Sequence, residues 1–141
     1  MKISERNAYV NFVNQKCEVH ADVGQKLLSI VNDYQNISAR ERASRANKLI
    51  APLEKAINEL KAYSPSLSLQ TPEEQEVALA YKEALTNSMM YQLEEVKMFS
   101  LDRELTLEEL MNLKMYSDKT LEYWNEAVKQ GEAFDLLRKD S

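Results

Sequence analysis

Two side chains with intrinsic reactivity stand close together near the N-terminus, Cys17 and His20, the single cysteine and the single histidine of the chain. Their i, i+3 spacing places both on one face of a helix. A zinc site built from cysteine and histidine needs four ligands, so one chain supplies half of it and a site shared by two chains would supply the rest. Both residues also continue an apolar stripe, which favours core packing over metal binding.

The residue types needed for covalent catalysis or phosphate binding lack their partners. A serine or cysteine nucleophile would need His20 as its base, and no helix terminus or strained turn exposes a nucleophile beside it. The Glu-x-x-His motif of di-iron bundles does not occur. Gly24 and Gly131 are isolated, so neither phosphate-binding glycine pattern is present. We therefore predict a non-enzyme, with no catalytic, cofactor-binding or metal-binding residue.

Three pairs of adjacent carboxylates could do acid-base work: Glu73-Glu74, Glu94-Glu95 and Glu108-Glu109. The first and last pairs fall in the first turn of a predicted helix, where the helix dipole favours acidic residues. We interpret all three pairs as caps or as a solvated face rather than as catalytic groups.

Both glycines lie inside predicted helices, where each costs about 1 kcal/mol relative to alanine. Close approach of two helices is the simpler reason for them, and space for a ligand between helices is the other. This gives the alternative function: a bundle that binds a small ligand or a metal near Cys17, His20 and Gly24.

The charge distribution opposes binding to nucleic acid. The formal net charge is −5, although the basic segment Arg40, Arg42, Arg45 and Lys48 could touch phosphate. Residues 1–50 carry +3 and residues 51–141 carry −8, which favours a basic helix pair packed on an acidic pair over an acidic surface for a basic partner. No apolar run approaches the about 20 residues of a membrane span.

Five methionines fall near the connection between the third and fourth predicted helices: Met89, Met90, Met98, Met111 and Met115. We interpret them as filling gaps in the core, and the alternative is a plastic groove for a peptide or an apolar ligand.

The elements that must position these residues are four long helices. The chain has 141 residues, of which 44% are hydrophobic, with 2 Gly and 3 Pro, so one domain of few and long elements is expected. Capping patterns begin helices after Ser38, Thr71 and Thr106. The predicted helices span about 4–36, 39–63, 72–99 and 107–137, with a kink or break at Lys48 to Ala51 ahead of Pro52. Short connections predict an all-α, antiparallel, up-and-down four-helix bundle.

Apolar spacing predicts the buried side of each helix. The first helix has one stripe that includes Val10, Cys17, Gly24 and Val31. The stripe of the fourth helix is predicted to contain Leu110, Leu113, Ser117, Leu121, Trp124, Ala127 or Val128, Gly131 and Phe134.

The pattern of the chain resembles small bacterial extracytoplasmic helical-bundle proteins, many of them lipoproteins of unknown function. The resemblance lies in Tyr9-Val10-Asn11-Phe12-Val13-Asn14, in Leu53 to Leu60 followed by Lys61-Ala62-Tyr63-Ser64-Pro65, in Thr71-Pro72-Glu73-Glu74, and in a last helix from Tyr116 to Phe134 around Tyr123-Trp124. Cys17 follows Val13-Asn14-Gln15-Lys16 rather than a lipobox, so lipid attachment there is rejected. The chain as written is expected in the cytoplasm, or outside it if a leader peptide was removed.

The function predicted from these observations is that of a soluble, acidic, non-enzymatic binding module. Its partner would be another protein or a second copy of the chain, reached through a surface left over after the core has formed.

Overall fold

The described part of the chain forms four α-helices: α1 (Ile3–Asp33), α2 (Ala39–Ala62), α3 (Pro72–Phe99) and α4 (Leu107–Lys139). The structure is a computed structural model that describes the backbone of residues 3–64 and 71–139, and the side chains of residues 8–64 and 71–137. No strand occurs within those ranges. The predicted connection at residues 64–71 lies for the most part outside them.

The three predicted caps are confirmed. The hydroxyls of Ser38 and Thr71 accept hydrogen bonds from the third residue beyond them, at 3.1 and 3.0 Å. At α4 the capping box is reciprocal, because the Glu109 amide donates to the Thr106 hydroxyl and the Thr106 amide donates to the Glu109 carboxylate. Each cap satisfies backbone donors that the first helical turn leaves without partners.

One helix end differs from the prediction, and of the kink or break predicted ahead of Pro52 the break does not occur. The helix α1 ends at Asp33 rather than near Asn36, and the next residues form a turn closed by the Asn36 amide on the Asp33 carbonyl at 2.8 Å. The helix α2 runs without a break through Pro52. A proline inside a helix removes one hydrogen bond to the preceding turn, and here the exposed ring leaves the packing of α2 on its neighbours intact.

Contacts between helices join the early residues of one helix to the late residues of the next. Phe12 of α1 stacks on Tyr63, directly after α2, with ring centroids 4.3 Å apart. The Lys82 ammonium, early in α3, donates to the carbonyl of Tyr63 at the end of α2. Tyr9 of α1 lies against Phe134 of α4, with centroids 5.5 Å apart. An antiparallel arrangement of neighbouring helices would produce such pairings.

One continuous core fills the space between the helices. Its fully buried members come from all four: Val13 and Ile30 of α1, Leu53 and Leu60 of α2, Leu85 and Met89 of α3, and Phe134 of α4. Lys16, which the sequence does not single out, is also buried. Its ammonium pairs with the Glu59 carboxylate and lies 5.0 Å from the centre of the Phe12 ring.

The predicted stripe of α4 is wrong in part. Three of its members are exposed: Leu110, Ser117 and Leu121. Of the alternatives Ala127 and Val128, Ala127 is the buried residue, and Trp124 is partly buried against the core. Three members are buried as predicted: Leu113, Ala127 and Phe134. Because α4 carries apolar side chains on more than one side, packing on α3 decides which side is covered.

None of the helices in the described part of the chain combines the length and the apolar character that a membrane crossing requires.

Candidate functional site

Cys17 and His20 both bond to side chains of α3. The Cys17 Sγ lies 3.4 Å from the Tyr81 hydroxyl, and the His20 Nε2 lies 2.8 Å from the Ser88 Oγ. The Ser88 hydroxyl donates its single hydrogen to the Thr120 carbonyl at 2.7 Å. The Nε2 of His20 therefore carries a hydrogen and donates to Ser88, which fixes the tautomer.

The surroundings of these two groups make them poor reagents near neutral pH. Burial lowers the pKa of His20 to about 4, so the imidazole is neutral. It stacks on the Trp124 indole with centroids 4.5 Å apart. Burial raises the pKa of the Cys17 thiol, and the hydrogen bond with Tyr81 opposes this in part. Within the described residues, no three His, Cys, Asp or Glu side chains come together as a metal site.

A close contact explains Gly131 but not Gly24. A Cβ on Gly131 would lie 3.2 Å from the Tyr81 ring, so α4 approaches α3 more closely there than most side chains allow. A Cβ on Gly24 would lie 3.6 Å from Gln92 Nε2, which is an ordinary contact. Gln92 donates to the His20 carbonyl at 3.0 Å, and its fully buried Oε1 accepts no hydrogen bond from any described residue.

The basic segment does not form an array of cations on the surface. Arg42 is buried, and its guanidinium donates to the carbonyls of Phe99, Leu101 and Arg103, which satisfies the end of α3 and the connection to α4. Arg45 binds the carboxylates of Asp33 and Glu41. The carbonyl contacts of Arg42 and the ion pairs of Arg45 make these two side chains less available for phosphate, the alternative that the sequence left open for this segment.

The methionines divide between the core and the surface. Met89 is fully buried and Met98 packs against the core, as expected of gap-filling residues. Met90, Met111 and Met115 are exposed.

The interpretation of the pair Glu94-Glu95 as part of a solvated face does not fit Glu95. Glu95 is half-buried, and its carboxylate accepts a hydrogen bond from the Thr120 hydroxyl at 2.8 Å. Burial raises its pKa to about 7, which the Thr120 hydrogen bond opposes. No ion pair of Glu95 occurs among the described residues.

Glu95 lines a groove of about 460 Å³ that lies between the end of α1, the end of α3 and the beginning of α4. The apolar walls of this groove are formed by Val31, Tyr34, Phe99, Leu110 and Leu113. Val31 and Leu110 remain 53% and 40% exposed. We refer to these six residues as the α1/α4 groove.

The rim of the α1/α4 groove is nearly free of charge. Asn32, Gln35 and Asn36 line it from the side of α1, and Ser117 lines it from α4. Lys114 is the one cation among the lining residues, and its ammonium lies 3.2 Å from Asp118 on its own helix. Depletion of charge around an apolar centre is typical of a binding surface.

Sequence reasoning missed this site, although a signal for it exists. Ser88, Gln92 and Glu95 recur at i, i+4 and i+7, between the apolar Ala84 and Phe99 on the same side of α3. A polar line that continues an apolar stripe indicates buried polar groups.

Within the described part of the chain, the arrangement offers an apolar groove with one carboxylate that forms no ion pair, and it does not bring a third ligand to Cys17 and His20. Such a groove can bind an apolar segment that carries a positive charge.

Comparison with models of protein families, with curated proteins and with solved structures finds no match for this chain.

Proposed function

We propose that this protein is a non-enzymatic interaction module whose α1/α4 groove binds a helix of a partner protein. The single observation that carries the proposal is Glu95, a half-buried carboxylate on the wall of an apolar groove that forms no ion pair with any described residue. Burying a carboxylate without a cation is unfavourable, and a cation brought by a partner would relieve that cost.

The shape and the length of the groove favour a helix as the occupant. The exposed apolar line continues beyond the groove, through Leu28 on α1 and Leu121 on α4. From Leu110 to Leu121 the groove side of α4 extends about 16 Å at 1.5 Å per residue, or three turns. An amphipathic helix of that length presents anchors at i, i+3 or i+4, and i+7. One lysine or arginine beside these anchors would reach Glu95.

Selection from a displayed library of helical peptides tests this proposal. We expect the binders to share an apolar face with one Lys or Arg, and Val31→Asp to abolish their binding. Leu79→Asp is the matched control, because Leu79 is an exposed leucine outside the groove. Failure to enrich any peptide, or binders that tolerate Val31→Asp, would contradict the proposal.

A second substitution separates the groove from its charge. Glu95→Gln should weaken the selected peptides by about 10-fold or more, as expected when one member of a partly buried charge pair is lost. Binders whose affinity is unchanged by Glu95→Gln would leave the groove as the site and reject the role of the carboxylate.

The alternative function is a small-ligand or metal site near Cys17, His20 and Gly24. Its support is Gln92 Oε1, a buried acceptor beside His20 and Gly24 that finds no donor among the residues the structure describes. Native mass spectrometry of the purified protein distinguishes the two, because a bound metal or small molecule would favour this alternative. The resemblance to extracytoplasmic bundles and the cellular compartment stay predictions.

A further inference from the structure

The side of α4 that points away from the core carries a line of exposed residues with alternating spacings of four and three. Its members are Leu107, Met111, Lys114, Asp118, Leu121 and Asn125. We call this line the outer stripe of α4. Leu107, Met111 and Leu121 are 74%, 65% and 59% exposed. Spacings of four and three are the spacings with which one helix packs along another.

The outer stripe is complementary to itself. When two copies of α4 run antiparallel about a twofold axis midway between Lys114 and Asp118, Lys114 of each copy faces Asp118 of the other. The same register places Met111 opposite Leu121 in both halves of the pair. In an isologous interface each contact occurs twice. The Lys114–Asp118 match therefore gives two ion pairs, and the Met111–Leu121 match gives two apolar contacts.

The charges discriminate against the other simple arrangement. In a parallel pair in register, Lys114 would face Lys114 and Asp118 would face Asp118, which is repulsive at both levels. Lys114 and Asp118 are 80% and 68% exposed as side chains, and within one chain they pair with each other at 3.2 Å. Both groups are therefore free to exchange a partner within the chain for one in a second copy.

We propose that two copies of this protein associate through the outer stripe of α4, antiparallel and centred between Lys114 and Asp118. From Leu107 to Asn125 the contact would extend about 27 Å along the helix at 1.5 Å per residue. The outer stripe points away from α3, so association does not require the bundle to open. The outer stripe borders the α1/α4 groove, because Lys114 also lines that groove and Leu121 continues its apolar line, whereas Leu107, Met111 and Asp118 lie outside its lining. The dimer does not depend on the function proposed for the groove.

Sedimentation velocity of the full chain tests the stoichiometry. We expect a dimer with a Kd below about 100 µM, a common range for moderate self-association. Met111→Glu should weaken the dimer by about 10-fold or more, because it places a carboxylate opposite Leu121. Leu79→Glu introduces the same charge on α3 outside the stripe and should leave the Kd unchanged. A monomeric wild-type protein at that concentration, or equal weakening by Leu79→Glu, would overturn the proposal.

Charge reversal tests the register. Lys114→Glu alone and Asp118→Lys alone should each weaken the dimer, because each creates two like-charge contacts. The double variant carrying both changes should return to within about threefold of the wild-type Kd, since opposite charges again face each other. Single reversals without effect, or a double variant weaker than both, would reject this register. Circular dichroism checks that all variants keep the helical fold.

Discussion

The carboxyl of Glu95 should reduce the stability of the protein as the pH rises. Burial raises its pKa from 4.5 to about 7, so the folded chain holds a proton that the unfolded chain releases. A group whose pKa is higher in the folded than in the unfolded state contributes stability that is fully present below its unfolded pKa. That contribution is lost as the pH rises through the folded pKa. The window for Glu95 therefore runs from about pH 4.5 to about pH 7.

The size of the effect follows from the shift. At 1.36 kcal/mol for each pKa unit, the charged form costs at most about 3 kcal/mol. The groove is open to water on one side, and solvent screening reduces this to about 1 to 3 kcal/mol. Glu95→Gln removes the titration and keeps an oxygen for the Thr120 hydroxyl. We expect the variant to match wild type near pH 4 and to exceed it by about 1 to 3 kcal/mol near pH 8.

Urea unfolding at several pH values, followed by circular dichroism, measures the difference between the two proteins. The difference is needed because His20 acts in the opposite sense: burial lowers its pKa to about 4, so this imidazole adds stability as the pH rises toward about 6.5. Glu94→Gln is the matched control, one residue away and exposed. A Glu95→Gln advantage that is the same at pH 4 and pH 8, or a Glu95 carbon resonance that titrates below about pH 5, would refute the reasoning.

Three further predictions concern single residues. Pro52→Ala should leave stability unchanged or raise it by up to about 3 kcal/mol in urea unfolding, because α2 is continuous there and alanine restores a hydrogen bond; a loss would mean that the proline is needed for the shape of α2. Gly24→Ala should raise the free energy of unfolding by about 1 kcal/mol or less. Gly131→Ala should raise it by less, or lower it, because its Cβ would lie 3.2 Å from the Tyr81 ring. A larger gain at Gly131 than at Gly24 would contradict these contacts. Cys17 should react with a thiol-specific disulfide reagent more slowly in the native protein than in denaturant, because burial raises its pKa; faster native labelling would indicate an activated thiolate.

The helix starts were predictable from the sequence because each is set by a few neighbouring residues. A hydroxyl at the cap and a glutamate three residues later act locally, and Ser38, Thr71 and Thr106 make these bonds. The end of α1 lacked such a signal. Apolar Tyr34 continues the helical spacing, yet the chain turns after Asp33.

The candidate site was not predictable because it depends on which side of each helix the neighbours cover. Leu110 and Leu121 follow the same core spacing of α4 as Leu113 and Ala127, but only Leu113 and Ala127 are buried. Glu95 resembles any glutamate of an exposed pair until the groove around it is known. Arg42 is the opposite case. Its basic segment suggests an exposed side chain, yet its guanidinium is buried and donates to carbonyls at the end of α3 and in the connection to α4.

The titration of Glu95 links stability to binding. Proton release on binding is therefore a signature of the proposed function that uncharged contacts would not produce. A cationic side chain bound next to this carboxyl favours the charged form, so binding must lower its pKa and release a proton. With a folded pKa of about 7, Glu95 is about half protonated at pH 7. Binding of a lysine-bearing peptide from the selection should then release up to about 0.5 proton at pH 7 and close to none near pH 9.

Titration calorimetry in buffers of different ionisation enthalpy measures this release. The lining of the groove contributes one other ionisable group of opposite charge, Lys114, and no further carboxyl. Glu95→Gln should therefore abolish the release, whereas Glu94→Gln should retain it. The same peptide with glutamine in place of its lysine should bind to wild type without proton release. Equal release by wild type and Glu95→Gln would show that another group titrates on binding, and the carboxylate would lose its role as the partner's counter-charge.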